Sequence, residues 1–286
     1  MAATISFPVA SPRGSRTVAV SYERKGTGEP LLLLHGIGHH RQAWDPVIDI
    51  LAVEREVIAI DLPGFGVSAP LPDGVPYELP ALASVLGALC TALDIGRPHV
   101  AGNSLGGLLA LMLARENLVR SATALSPAGF WSESERMYAF GTLRALRAAA
   151  RSLPLPMIER LSRTPAGRAA LTGIICARPG RRSPGAVVAE TLALRTATGF
   201  DRTLAAGRDG LFTDDITGVP VTIAWGTRDL LLPRRQGIRA KHTVPGARLI
   251  RLPGCGHVPM NDDAALVARV LLDGSGGGAA PGGDAG

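Results

Sequence analysis

Apolar residues along this chain gather in short runs separated by longer stretches with helical spacing. The runs Thr17 to Tyr22, Leu31 to His35, Glu56 to Ile60, His99 to Gly102, Ala122 to Leu125, Val219 to Trp225 and Arg248 to Leu252 have the length and the aliphatic or β-branched content of strands, with Thr4 to Val9 a weaker candidate. Most carry a continuous apolar face rather than strict alternation, which predicts strands buried on both sides of a parallel sheet. Helical periodicity fills Trp44 to Leu51, Leu79 to Leu93, Ser104 to Arg115, Arg234 to Lys241 and Ala264 to Leu272. Strand and helix signals that alternate in this way predict an α/β protein, a mostly parallel, doubly wound sheet.

The alternation stops before Val219. Residues 131–208 read as helices only, interrupted by Pro154, Pro156, Pro165, Pro179 and Pro184, and predict a helical insertion between two parts of one core, residues 1–130 and 209–272. Met137, Tyr138, Phe140, Leu143, Leu146, Met157, Ile158, Leu161, Leu171, Ile174 and Ile175 supply the insertion with an apolar underside able to cover a pocket. Residues 273–286 are glycine-, alanine- and proline-rich, lack side chains that build a core, and predict a disordered tail.

Composition narrows the function classes. A hydrophobic content of 46% is enough for a sizeable core. The three cysteines, Cys90, Cys176 and Cys255, are widely spaced and odd in number, which speaks against a disulfide framework or a paired-cysteine metal site. No run is long and apolar enough to span a membrane and no secretory leader pattern opens the chain, so a soluble cytoplasmic protein is expected. The net charge of +6 is regional, because residues 131–208 carry thirteen arginines against five acidic residues. Neither aromatic interleaving nor a nucleic-acid motif accompanies it, so nucleic acid is not an expected partner. The arginines predict a solvated face, or else a site that steers an acidic or thioester-linked substrate. No histidine and acid cluster has metal-ligand spacing and no phosphate loop precedes a lysine, so no cofactor is expected.

The chemistry concentrates at His99 to Met112, where HVAGNSLGGLLALM places Ser104 between Gly102 and Gly106 at the seam of a strand and a helix. A tight strand-to-helix turn of this kind lifts a serine hydroxyl clear of the sheet. It also leaves the backbone N–H of Leu105 free in the first turn of the helix, aimed at a developing oxyanion. Trp225-Gly226-Thr227-Arg228-Asp229 puts a carboxylate beyond a later strand, and Gly254-Cys255-Gly256-His257 puts an imidazole beyond the next. A serine hydroxyl needs an imidazole to take its proton, and the imidazole needs a carboxylate to hold its tautomer.

In this order, and together with His35-Gly36-Ile37-Gly38 after the run LLLL and Asp61-Leu62-Pro63-Gly64-Phe65-Gly66-Val67-Ser68 after the next strand, these segments resemble the α/β-hydrolase superfamily. The resemblance spans about Tyr22 to Met260. It implies the α/β-hydrolase fold with a helical cap, a catalytic triad of Ser104, Asp229 and His257, and an oxyanion hole formed by Ile37 and Leu105. Asp61 and Ser68 are assigned to the turn rather than to catalysis. Glu133 and Glu135 lie where some relatives carry the acid, and Asp229 is preferred for its WGTRD context. Gly36, Met137, Tyr138 and Phe140 are the expected substrate-binding residues. His39 and His40 line the pocket mouth or face water, and His99 and His242 carry no expected role.

A serine at the elbow argues against relatives that place aspartate there, such as epoxide hydrolases and haloalkane dehalogenases, and against the cysteine of dienelactone-type enzymes. The expected function is cofactor-independent hydrolysis of an ester, lactone or thioester of a mainly apolar small molecule through an acyl-enzyme on Ser104. Two alternatives stay open: hydrolysis of a carbon–carbon bond in vinylogous diketones, and a non-hydrolytic homologue that binds or cyclises its ligand.

Overall fold

A computed structural model describes residues 2–12 and 14–276. Eight strands, β1 (Ala3–Ser11), β2 (Gly14–Lys25), β3 (Glu29–Leu34), β4 (Arg55–Ile60), β5 (His99–Asn103), β6 (Ser121–Leu125), β7 (Val221–Gly226) and β8 (Arg248–Leu252), form one sheet in the order β1-β2-β4-β3-β5-β6-β7-β8. The β1–β2 hairpin joins antiparallel to β4, and every pairing from β4 through β3 to β8 is parallel. This is the α/β-hydrolase fold that the motifs imply. The weak candidate near Thr4 is a full strand, paired along its length with β2.

Alternate side chains of the central strands enter two cores. Leu32 and Leu34 of β3, Ile58 and Ile60 of β4 and Val100 of β5 pack with the helices α2 (Leu79–Ala92) and α3 (Leu105–Arg115). Leu31, Leu33, Val57, Ala59 and Ala101 point the other way, toward α1 (Asp45–Leu51) and α10 (Ala264–Gly274). A run of four leucines therefore reads as one strand with two buried faces.

Five α-helices stand between β6 and β7: α4 (Glu133–Ser152), α5 (Leu155–Ser162), α6 (Pro165–Thr172), α7 (Pro184–Thr196) and α8 (Phe200–Ala206). The prolines start these helices rather than break them. Pro165 and Pro184 hold the first position of α6 and α7, and Pro156 the second of α5, where a missing N–H costs no intrahelical bond. Three of the thirteen arginines act as internal staples. Arg147 donates to the carbonyls of Leu194 and Ala197, Arg168 to Ser162 and Gly180, and Arg195 to Arg151 and Leu153, so guanidinium forks satisfy carbonyls at helix ends. The remaining helix, α9 (Arg235–Thr243), joins β7 to β8.

The expected start of a tail at residue 273 is corrected by the structure. α10 continues through Gly274, and the buried Ser275 receives Arg55 Nη2 on its carbonyl at 2.9 Å, because Arg55 of β4 finds its partners there. The rest of the predicted tail, 277–286, lies outside the described residues. No helix among the described residues is long and apolar enough to cross a membrane. Cys90, Cys176 and Cys255 are buried free thiols.

Candidate functional site

Strand order reverses at the β3–β5 pair, since the chain leaves β3 toward β4 on one side and leaves β5 toward β6 on the other. A crevice at the carboxyl ends of such strands is where open α/β sheets bind ligands. Leu34 is in register with Gly102, which carries the loop after β3 alongside Ser104. A methyl group built on Gly36 would lie 3.2 Å from Ser104 Cβ, so the two segments are in direct contact.

Ser104 is the N-cap of α3 with φ 57°, a conformation costly for a side-chain-bearing residue and held by its surroundings. Its carbonyl accepts from Leu108 N and Ala128 N, and its own N–H donates to Leu125 O. Leu105 is the first residue of α3, and its N–H has no acceptor within the helix.

His257 and Asp229 follow β8 and β7. Their loops are tied by Arg228 N to Cys255 O at 2.8 Å and by Gly254 N to Thr227 Oγ1 at 2.8 Å. His257 Nδ1 lies 2.9 Å from Asp229 Oδ2, with both side chains buried, while Asp229 Oδ1 accepts from Leu231 N and Leu232 N. A carboxylate so held fixes the imidazole with Nδ1 as donor and leaves Nε2 basic. No hydrogen bond joins Ser104 to His257, a looseness common before substrate binds. Asn103 Nδ2 spans the gap instead, donating to His257 O at 2.8 Å and to Leu125 O at 3.1 Å. This link clips the histidine loop to the elbow, and Asn103 was legible only as a member of the motif.

A cavity of about 180 Å³ opens on these groups. Ser104, His257, Gly36 and Ile37 line it, with Leu143 and Leu146 of α4, Leu161 of α5 and Leu171 of α6 beyond them. A second cavity of about 50 Å³ also touches Ser104 and Ile37 and is closed by Leu105, Phe140 and Trp131. Met137 and Tyr138 are corrected as substrate-binding residues: Met137 is 65% exposed, Tyr138 donates its hydroxyl to Leu230 O, and neither reaches a cavity that touches Ser104. The reason is helical phase. Ala139, Phe140, Leu143, Leu146 and Ala150 form the inward stripe of α4, and positions 137 and 138 fall outside it.

Glu135 is not beside His257. It closes a capping box with Ser132 and pairs with Arg235 and Arg239, fastening α4 to α9. Asp61 accepts from Arg41 N and Val67 N and pairs with the Arg41 guanidinium, which is the turn-building role expected of it. His99 bridges Ser121 and Glu29. Of the two places expected of His39 the structure gives the pocket: it is buried and lines the first cavity, with Glu190 of α7 2.9 Å from its ring. Glu190 went unnoticed in the sequence, where its signal is a lone acid in the helical run AVVAETLAL. Burial alone would push its pKa up, yet His39 and Arg182 bring it down to about 2. Among the described residues no group of three or more His, Cys, Asp and Glu side chains is placed to hold a metal ion.

His35 supports the loop after β3. It is fully buried, accepts from Leu62 N on Nε2 at 3.0 Å, and has Nδ1 2.7 Å from Gly36 O, the pattern of a neutral ring. Burial lowers its pKa to about 4. The unfolded chain then takes up a proton near the ordinary histidine value while the folded chain does not, so stability present above about pH 6.5 is lost as pH falls toward 4. Urea unfolding at pH 7 and pH 4.5 is expected to show a smaller loss for His35→Gln than for the wild type, and equal losses would contradict this.

A profile of the alpha/beta hydrolase family matches residues 31–270. An uncharacterized protein of Mycobacterium bovis is 33% identical over 259 residues, covering 86% of this chain and 75% of its own. The dihydrolipoyllysine-residue acetyltransferase component of the acetoin cleaving system of Pseudomonas putida is 32% identical over 251 residues, covering 86% of this chain and 63% of that protein. Among solved structures, a thermophilic esterase from Thermogutta terrifontis superposes with a TM-score of 0.72 at 21% identity, over 95% of this chain and 97% of that one. With the sheet order, the site at the strand ends and a profile match over most of its length, this chain belongs to the alpha/beta hydrolase family.

Proposed function

We propose that the protein is a serine hydrolase that cleaves an ester, lactone or thioester of a mainly apolar substrate through an acyl-enzyme on Ser104, using its own side chains and no cofactor. The observation that carries this reading is the buried 2.9 Å contact of His257 with Asp229, beside a cavity on which Ser104 also opens. His257 Nε2 takes the Ser104 proton as Oγ attacks the carbonyl carbon, then gives it to the leaving group. Water activated by the same nitrogen releases the acid. The N–H groups of Ile37 and Leu105 receive the oxyanion, a contribution worth about 10²–10³ in rate per donor. Helices in 131–208 serve as the cap, and their leucines take the apolar limb of the substrate.

No arginine lines the main cavity among the described residues. An anionic tail of the kind met in vinylogous diketones finds no arginine or lysine there, which favours ester over carbon–carbon cleavage. Mixing the protein with p-nitrophenyl butyrate should give a burst of one nitrophenolate per chain, and a fluorophosphonate should add to the peptide that carries Ser104. A label on another residue, or no burst and no label, overturns the assignment.

A further inference from the structure

Three hydrogen bonds hold the backbone of residues 256–258 to its neighbours, and two of them lead into the cap. His257 O accepts from Asn103 Nδ2 of the elbow. Val258 N donates to Ile175 O at 2.9 Å, and Gly256 N donates to Asp262 Oδ2 at 2.8 Å. Asp262 carries the second link onward: Oδ2 also accepts from Ala177 N at 3.1 Å, and Oδ1 from Arg178 N at 2.8 Å. One carboxylate therefore joins the residue before His257 to the cap segment that follows Ile175. The two backbones also touch. A methyl group built on Gly256 would stand 2.8 Å from Ala177 N and 3.0 Å from Ile175 O, both main-chain atoms.

Asp262 forms no ion pair among the described residues, although Arg178 stands beside it and sends its guanidinium to Asp262 O at 3.4 Å. Its carboxylate is spent on three backbone N–H groups from two segments far apart in the chain, bonds that its charge strengthens. We propose that Asp262 is a positioning residue for the base, clamping residues 175–178 of the cap to the loop of His257 so that Nε2 keeps its place only while the cap is seated. This rests on the hydrolase reading above and deepens it, since it makes the base answer to the cap. Asp229 fixes the imidazole through Nδ1, whereas the clamp fixes the backbone from which the ring hangs. A misplacement of about 1 Å at a reacting group can cost about 100-fold in rate. Ile175 lines the main cavity, so a substrate limb that fills the cavity bears on the clamped segment directly.

The test compares Asp262→Ala and Asp262→Asn with the wild type on p-nitrophenyl acetate, which brings no limb for the cap leucines, and on p-nitrophenyl hexanoate. Asp262→Ala is expected to lower kcat for both esters by about 30-fold, to slow fluorophosphonate labelling of Ser104 by a similar factor, and to leave KM for the acetate within about twofold. Asp262→Asn keeps one acceptor oxygen, so a smaller loss of about threefold to tenfold is expected, and it carries the test if the alanine variant does not fold. Glu135→Gln is the control, because it loosens the cap where α4 meets α9. Its Tm is expected to fall while kcat for the acetate stays within about twofold of the wild type. Wild-type kcat on the acetate in both Asp262 variants, a loss confined to KM for the hexanoate, or the same kcat loss in Glu135→Gln overturns the proposal. Fluorophosphonate labelling of wild-type Ser104 is measured alongside. Its absence sinks the hydrolase reading and the clamp with it, and its presence with unchanged kcat in the variants sinks the clamp alone.

Discussion

Ser104→Ala is expected to lower kcat for a p-nitrophenyl ester by about 10⁴–10⁶ and to abolish the fluorophosphonate adduct, with little change in Tm. The stability half of the expectation follows from what the hydroxyl does in the resting protein. Among the described residues it forms no hydrogen bond, so its removal strands no partner. The strained φ of 57° is equally unwelcome to serine and to alanine, and the carbonyl and amide bonds of residue 104 remain. The kinetic half follows from the chemistry, since no acyl-enzyme forms without Oγ. What survives is the rate that binding and the two N–H donors lend to direct attack by water. Paired measurement of kcat and Tm checks both halves. A fall of less than tenfold in kcat, with Tm unchanged, shows that Ser104 is not the nucleophile.

The parts of this molecule that were legible in its sequence are those in which local chemistry and position along the chain agree. The turn from β5 into α3 needs small residues at 102 and 106, the candidate acid and base follow strands, and the order Ser104, Asp229, His257 matches the order in which β5, β7 and β8 deliver them. The LLLL run reads as a buried strand because a parallel sheet covers both its faces. Less legible was anything that depends on the phase of a helix over the site. Met137, Tyr138, Phe140 and Leu143 are all apolar, yet only the last two turn inward, and periodicity was diluted there by small and basic residues around them. Glu190 was invisible for a related reason, because an acid in a helical run ordinarily faces water, whereas this one meets Arg182 and His39 from elements distant in sequence or across a turn. The arginines were legible in part, since seven of the thirteen in residues 131–208 are exposed, as a solvated face requires, whereas three guanidinium groups satisfy carbonyls within the helices instead.

Gly106→Ala is expected to destabilise the protein by more than about 3 kcal/mol, a loss visible as a Tm lower by roughly 10 °C or as failure to accumulate in soluble form. An added Cβ would stand 2.1 Å from Leu34 O and 2.7 Å from His35 O, both backbone atoms. Neither can retreat cheaply. Leu34 is paired with Ile60 on one side and Gly102 on the other, and His35 is fully buried between Gly36 O and Leu62 N. Moving α3 away instead would drag Ser104 and Leu105 off the elbow, so whatever folds should also lose activity. Gly141→Ala is the matched control, because that glycine is in the exposed interior of α4 with nothing within 4 Å of the added methyl. Helix propensity alone then applies, and the variant should gain about 0.5–1 kcal/mol. Opposite signs from one and the same substitution, read by urea or thermal unfolding, separate close backbone approach at the elbow from any general intolerance of glycine replacement. A Gly106→Ala protein as stable as the wild type would mean that α3 does not press on β3 as the structure has it.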